Sequence, residues 1–210
     1  MRVGLPYIII FSTMSIDGRI ASASGFSRLS CPYDKRRQMM LRCDSDAVIV
    51  GGNTVRHDNP LLTIRDIKCN KNPIRVIISH SLKFDNSLNI FTQPPKTIIY
   101  TDKREAEIPY NAEVVTLENT SICLIMEDLY RRGIRKVLIE GGGKTIYRAI
   151  EENCFNELRV TISPKLFGNG TSLLEGKGFQ NDEIKELVLY DSKVCECKNE
   201  IHLIYKKHES

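Results

Sequence analysis

Six short runs of consecutive apolar, largely β-branched residues constrain this chain most: Tyr7 to Phe11, Ala47 to Val50, Arg75 to Ile78, Thr97 to Tyr100, Glu113 to Leu117 and Lys136 to Ile139. Runs of this length and composition favour strands. A strand with one wet face alternates polar and apolar residues, whereas most of these do not, so both of their faces must be covered. The expectation is an α/β fold with a mostly parallel central sheet flanked by helices. Helical patterns fall between the runs, at Tyr33 to Cys43, Ile122 to Arg132 and Lys144 to Asn153. The second has Thr120 or Ser121 as its candidate N-cap and ends in Arg131-Arg132-Gly133, a basic last turn followed by glycine. Beyond Asn153 the strand patterns Glu157 to Ser163, Glu186 to Tyr190 and Glu200 to Lys206 have no helix of useful length between them, which predicts antiparallel strands at the end of the sheet. Ile201, Leu203 and Tyr205 alternate with His202, Ile204 and Lys206, as an edge or half-exposed strand would.

The 210 residues contain no linker, repeat or low-complexity tract, and read as one domain spanning 1–210. Thirty Lys and Arg against 26 Asp and Glu give a net charge of +4 without a long run of either sign, which excludes binding of nucleic acid or membrane surfaces by charge alone. No apolar stretch approaches the roughly 18 residues that span a bilayer. Arg2 ahead of Tyr7 to Phe11 imitates a leader peptide, but Asp17 and Arg19 interrupt it before Ala21-Ser22-Ala23, and a first core strand is expected instead. The cysteines (Cys31, Cys43, Cys69, Cys123, Cys154, Cys195 and Cys197) are odd in number and scattered, without a CxxC. Neither a disulfide framework nor a zinc ribbon is expected from them, and the expected setting is a soluble protein of the reducing cytoplasm.

Three segments carry chemistry. In EGGGK, Glu140 to Lys144, three glycines follow a strand and open a helix, so backbone N–H groups can approach an anion at the helix N-terminus; the plainer alternative is a tight strand-to-helix turn. The motif is not GxGxxG and comes late in the chain, which disfavours a standard dinucleotide-binding fold. Gly51 to Arg65 packs two glycines, Thr54, Asp58, Pro60 and two arginines into one loop, where Asp58 could equally be a helix cap, Arg56 a solvated side chain, Thr63 a strand residue and His57 a surface residue. Ser12 to Ser30 holds the turn Asp17-Gly18 and, after Gly25-Phe26, the pair Ser27-Arg28. All three follow strands at their C-terminal ends, where open α/β sheets place ligands.

PYII at Pro6, MSIDGRIA at Met14, SRLSC at Ser27, DAVIVGGNTVRHDNPLLTIR at Asp46, NPIRVII at Asn72, IEGGGK at Ile139 and ISPKLFG at Ile162 occur in order over nearly the whole chain. On these the chain resembles the archaeal and fungal 2,5-diamino-6-ribosylamino-4(3H)-pyrimidinone 5′-phosphate reductases of riboflavin biosynthesis, which are similar to the reductase half of the bacterial bifunctional deaminase-reductase. The resemblance implies a dihydrofolate-reductase-like fold, a homodimer, NADPH as cofactor and reduction of the substrate's ribosyl group to ribityl. It implies cofactor contacts from Thr54, Asp58, Ser79, His80, Ser81, Leu82, Val115, Gly141, Gly142, Gly143 and Lys144. Ser27, Arg28 and Arg65 are the candidates for the substrate phosphate, and Glu140 for a catalytic role, holding sugar hydroxyls or relaying a proton. The family commonly has Asp at Ser79 and often Thr at Lys144. The turn Ser79 to Lys83 has no acid, which predicts a preference for NADPH, strengthened when His80 is protonated. The half-exposed C-terminal strands, with Leu203 and Tyr205 on one face, are the expected dimer surface. No HxE with a following CxxC is present, so the zinc site of a pyrimidine deaminase is absent. Three other readings stay open: a dihydrofolate reductase, against which the lack of Trp weighs; another imine or carbonyl reductase of the same fold; and a nucleotide-binding module without catalysis.

Overall fold

The computed structural model describes residues 4–104 and 111–208, so Arg2 lies outside the described residues. The strands are β1 (Tyr7–Ser15), β2 (Arg19–Ser22), β3 (Ala47–Gly51), β4 (Ile74–Ile78), β5 (Thr97–Thr101), β6 (Ala112–Thr116), β7 (Lys136–Gly141), β8 (Glu157–Ser163), β9 (Gly170–Ser172), β10 (Leu187–Val194) and β11 (Ile201–Lys207). The helices are α1 (Pro32–Cys43), α2 (Gly52–Asp58), α3 (Asn89–Thr92), α4 (Ile122–Arg131) and α5 (Gly143–Glu151). Nine strands form one sheet in the order β10-β11-β8-β1-β7-β3-β4-β5-β6, and β2 pairs with β9 in a small second sheet. From β8 to β6 every pairing is parallel. β11 and β10 then add antiparallel strands beside β8, as the pattern after Asn153 predicts.

The continuous apolar runs are explained by burial on both faces. Alternate residues of one strand point to opposite sides, so Ile8 and Ile10 join Ile49, Val76 and Val137 against α4 and α5. Ile9 and Phe11 join Val48, Val50 and Leu138 in a second cluster with Leu41 of α1 and Val55 of α2. The winding locates the functional edge. From β1 the chain crosses to β3 and steps outward through β4, β5 and β6. It then returns to insert β7 between β1 and β3, and finally places β8 on the other side of β1. The C-terminal ends of β1, β7 and β3 therefore flank the point where the winding reverses, which is where sheets of this kind open a crevice.

Several boundaries differ from the sequence expectation. The Gly51 to Arg65 segment is not all loop, because Gly52 to Asp58 form α2, closed by Asn59 in the left-handed conformation (φ 41°). β11 is the half-exposed strand of that expectation and not the edge: β10 lies outside it, and Tyr205 packs on the core. A disulfide joins Cys43, at the end of α1, to Cys69, 26 residues on. Cysteine spacing gave no sign of that pair, because a bridge depends on which chain segments the fold brings together.

The N-terminus of α4 is capped in trans. Ser121 is its N-cap, but the hydroxyl donates to Glu152 Oε2 at 2.7 Å instead of accepting from the helix, and the same carboxylate oxygen accepts the Cys123 N–H at 3.1 Å. A carboxylate at the end of α5 thus satisfies an orphan donor of α4 and faces its positive dipole end. Glu152→Ala should lower the unfolding free energy by about 1–2 kcal/mol, the usual cost of losing a cap. A urea-denaturation difference within experimental error would show that the contact does not stabilise the helix.

Candidate active site

Turns from β3, β4 and β7 meet at this edge. A Cβ added to Gly52 would stand 2.7 Å from Ser79 Oγ, one on Gly51 2.8 Å from Thr145 Oγ1, and one on Gly142 3.1 Å from Thr54 Oγ1. The backbone of each turn therefore lies against a hydroxyl from another, which brings Thr54, Ser79 and Thr145 together with the glycines. The EGGGK glycines do three different jobs. Gly142 N-caps α5 at φ 79°, a conformation that side chains rarely adopt. Gly143 packs under the small sheet, its Cβ position 2.4 Å from Ser172 O. Gly141, at φ 147°, is itself buried, yet nothing lies within 4 Å of its Cβ position. That space adjoins the N-terminus of α5 and the exposed Lys144, an arrangement of the kind that suits an anionic group.

Glu140 precedes the opening, and both of its carboxylate oxygens are engaged. Arg42 of α1 grips it with two bonds of 2.6 Å, and Gln38 Nε2 donates at 3.0 Å. The Arg42 and Glu140 side chains are 7% and 4% exposed. Arg42 also donates to Thr63 O at 2.7 Å. Buried Arg75 of β4 donates to Leu61 O at 3.4 Å, and to Gln93 O and Pro95 O. Burial lowers its pKa to about 10. Two buried guanidiniums thus fasten the segment that leads to Arg65. In place of a free carboxylate for sugar hydroxyls or a proton, the structure gives Glu140 a partner that orients a loop.

Arg65 is exposed beyond this anchor, and Ser27 and Arg28 are exposed in the stretch before α1. Leu29, next to Arg28, is buried, and its carbonyl accepts from Ser163 Oγ at 2.9 Å and Lys165 Nζ at 2.8 Å. Asp17 accepts the Phe167 and Gly168 N–H groups at 3.1 and 2.7 Å. The Ser15 hydroxyl and these amides hold its carboxyl at about 2. MSIDGR and SPKLFG, 150 residues apart, therefore form one loop assembly.

The Ser79 to Lys83 turn differs from its sequence reading. It has no acid of its own, but Asp102, just after β5, pairs with His80 Nδ1 at 2.5 Å. Arg56 of α2 donates to Ser81 Oγ at 3.2 Å and Lys83 O at 3.3 Å, with its guanidinium 5.2 Å from the Phe84 ring centre. Leu82 is buried in the core, so its side chain is not available to a ligand. Asp58 is exposed at the far end of α2, six residues or about 9 Å along the helix from Gly52. Val115 lies on edge strand β6, about 10 Å of sheet beyond β4, packed against the core. These two do not join the glycine turns. Sequence reasoning missed Gln38, Arg42, Asp102 and Lys165. Arg42 had one legible signal: it is the charged residue in the helical pattern that follows Leu41 on the core side.

Residues 6–203 match the family model described as the RibD C-terminal domain. A 2,5-diamino-6-ribosylamino-4(3H)-pyrimidinone 5′-phosphate reductase of Methanothermobacter thermautotrophicus is 32% identical over 199 residues, covering 90% of this chain and 91% of that protein. The crystal structure of a Thermotoga maritima diaminohydroxyphosphoribosylaminopyrimidine deaminase/5-amino-6-(5-phosphoribosylamino)uracil reductase matches with a TM-score of 0.85 at 26% identity, over 97% of this chain and 57% of the other. Dihydrofolate reductase of Enterococcus faecalis matches with a TM-score of 0.56 at 14% identity, over 97% of both chains, and shares the fold.

Removing one partner of a buried ion pair leaves the other charge uncompensated. Glu140→Ala should therefore cost about 3–5 kcal/mol of stability in urea denaturation. A loss no larger than that of an exposed substitution would show that Arg42 finds another acceptor.

Proposed function

The chain belongs to the RibD C-terminal domain family, and on that premise we propose that it reduces 2,5-diamino-6-ribosylamino-4(3H)-pyrimidinone 5′-phosphate, converting ribosyl to ribityl in riboflavin biosynthesis. The family and the fold carry a nicotinamide cofactor, and NADPH is the form proposed, on the cations Arg56 and Lys83 around Ser81 and not on the lack of an acid, since Asp102 pairs with His80. The supporting observation is the convergence of Gly141, Thr54, Ser79 and Lys144 at the winding reversal, with exposed arginines on the segments that follow the neighbouring strands. When bound, a nicotinamide would supply the hydride that C1 of the ring-opened sugar needs, so the protein's work is binding and orientation. Gly141, Gly142 and Lys144 hold cofactor phosphate at the start of α5. Arg56, Ser81 and Lys83 form the polar wall for the ribose 2′-phosphate, and His80 is steadied there by Asp102. Ser27, Arg28 and Arg65 receive the substrate phosphate, Arg offering a bidentate grip. Glu140 acts as a positioning residue through Arg42 and Thr63.

Oxidation of NADPH with this pyrimidine substrate and with dihydrofolate, measured in parallel, tests the reading; turnover of only dihydrofolate, or of neither, refutes it. Arg65→Ala should raise the Michaelis constant by roughly tenfold or more, since a hydrogen bond to a charged group is worth about 1.5–3 kcal/mol. An unchanged constant removes Arg65 from the phosphate site.

The same reading includes a homodimer, whose surface we take to lie on β10, outward of Leu203 and Tyr205. β10 is an unpaired edge bearing Val188, Leu189, Tyr190 and Val194, which are 43%, 51%, 65% and 61% exposed. An apolar edge of this kind invites a second copy. Sedimentation equilibrium at micromolar concentration should give the mass of two chains, and the mass of one chain refutes the dimer.

A further inference from the structure

Three of the seven cysteines come together away from the glycine turns. Cys31 is the N-cap of α1, with its sulfur accepting the Asp34 N–H. Cys195 and Cys197 lie in the turn between β10 and β11, closed by Cys195 N–H to Glu200 O and Lys198 N–H to Cys195 O, both at 2.8 Å. Glu200 immediately precedes β11. The three sulfurs and a Glu200 carboxylate oxygen all lie within 4.8 Å of one another. A Zn–S bond of about 2.3 Å places two tetrahedral sulfurs about 3.8 Å apart, and a Zn–O bond of about 2.0 Å places oxygen about 3.5 Å from sulfur. The Cys31 and Cys195 sulfurs stand 3.6 Å apart, close to such an edge and far beyond the roughly 2.05 Å of a disulfide.

Glu200 provides independent support. Its residue is 2% exposed, Oε1 accepts the Cys31 N–H at 2.7 Å, and Oε2 has no hydrogen-bond partner. A buried carboxylate oxygen without a donor is costly, and a cation would satisfy it. His202 Nε2, 3.6 Å from Asp34 Oδ1, has no hydrogen bond and belongs to a group with Glu200 and Asp34 whose ligand atoms lie within 4.8 Å of one another. It stands where an outer partner would orient a ligating carboxylate.

We propose that Cys31, Cys195, Cys197 and Glu200 bind one Zn²⁺ tetrahedrally. Three thiolates select a thiophilic ion, and four protein ligands leave no open position, so the site is structural and not hydrolytic. It ties the start of α1, three residues after Arg28, to the turn of the outermost hairpin. Binding releases the thiol protons to solvent.

The test uses the full chain, purified in reductant and supplied with Zn²⁺ or Co²⁺. Elemental analysis should find about one zinc per chain, and the cobalt form should show thiolate-to-metal charge-transfer absorption with the intense visible bands of tetrahedral cobalt. Cys197→Ser and Cys195→Ser should lose most of the bound metal, whereas Cys123→Ser, outside the cluster, should keep it. Three results would overturn the site: wild-type protein that takes up neither ion, zinc retained in both cluster variants, or a Cys31–Cys195 disulfide found by peptide mapping of the reduced preparation. Should the variants not fold, the wild-type cobalt spectrum decides alone.

Discussion

The edge of the sheet that faces the crevice depends on the buried pair between Glu140 and Arg42. Glu140 sits on β7, the strand inserted last between β1 and β3, one residue before the backbone opening at Gly141. Taking both charges out of water is expensive, and their attraction recovers the cost only because the fork is bidentate and the remaining donors are used. Gln38 takes one carboxylate oxygen and Thr63 O takes another guanidinium N–H. An apolar pair of the same volume would fill the space without specifying where Thr63 goes. The pair therefore contributes geometry: α1, β7 and the segment leading to Arg65 share one fixed point.

The three glycines show why a motif cannot be read as one function. All three are adjacent, yet one faces open space, one needs a left-handed backbone and one is pressed against the carbonyl of Ser172. The tight turn accounts for Gly142 and Gly143, and Gly141 is the residue of the triplet with space beside it for the anion-cradle reading. A cradle requires a tight turn to build it, because the backbone can face a ligand only if the helix starts at once behind it.

The sheet was legible because a strand covered on both faces must be apolar throughout, and that pattern stands out at Ile8 to Ile10, Val48 to Val50 and Val137 to Ile139 without any knowledge of partners. The convergence of the candidate segments was legible for a related reason, since strand ends mark one edge of a parallel sheet. What stayed hidden were pairings set by tertiary proximity. Arg42 and Glu140 are 98 residues apart, Cys31 and Cys195 are 164 apart, and neither spacing carries a signal. Asp102 reached His80 because β4 and β5 are neighbours, so the turn acquired an acid that its own residues lack. Helix α2 was missed because seven residues beginning with glycine are too short to show a helical period.

The arginines divide by what their surroundings have already given them. Arg42 and Arg75 are buried: Arg42 bonds the Glu140 carboxylate and Thr63 O, and the two terminal nitrogens of Arg75 bond loop carbonyls. Arg28 and Arg65 are exposed at the ends of segments those interactions and Leu29 hold in place. A guanidinium that is already bonded orders the protein, whereas one held out on an ordered segment loses little further backbone freedom when it meets an anion. The overall charge of +4 therefore says little about the crevice. On the proposed function, what matters there is that exposed Arg65 stands on a segment fastened by buried arginines and Arg28 beside the anchored Leu29, so binding of a phosphate would not have to supply the ordering of these segments.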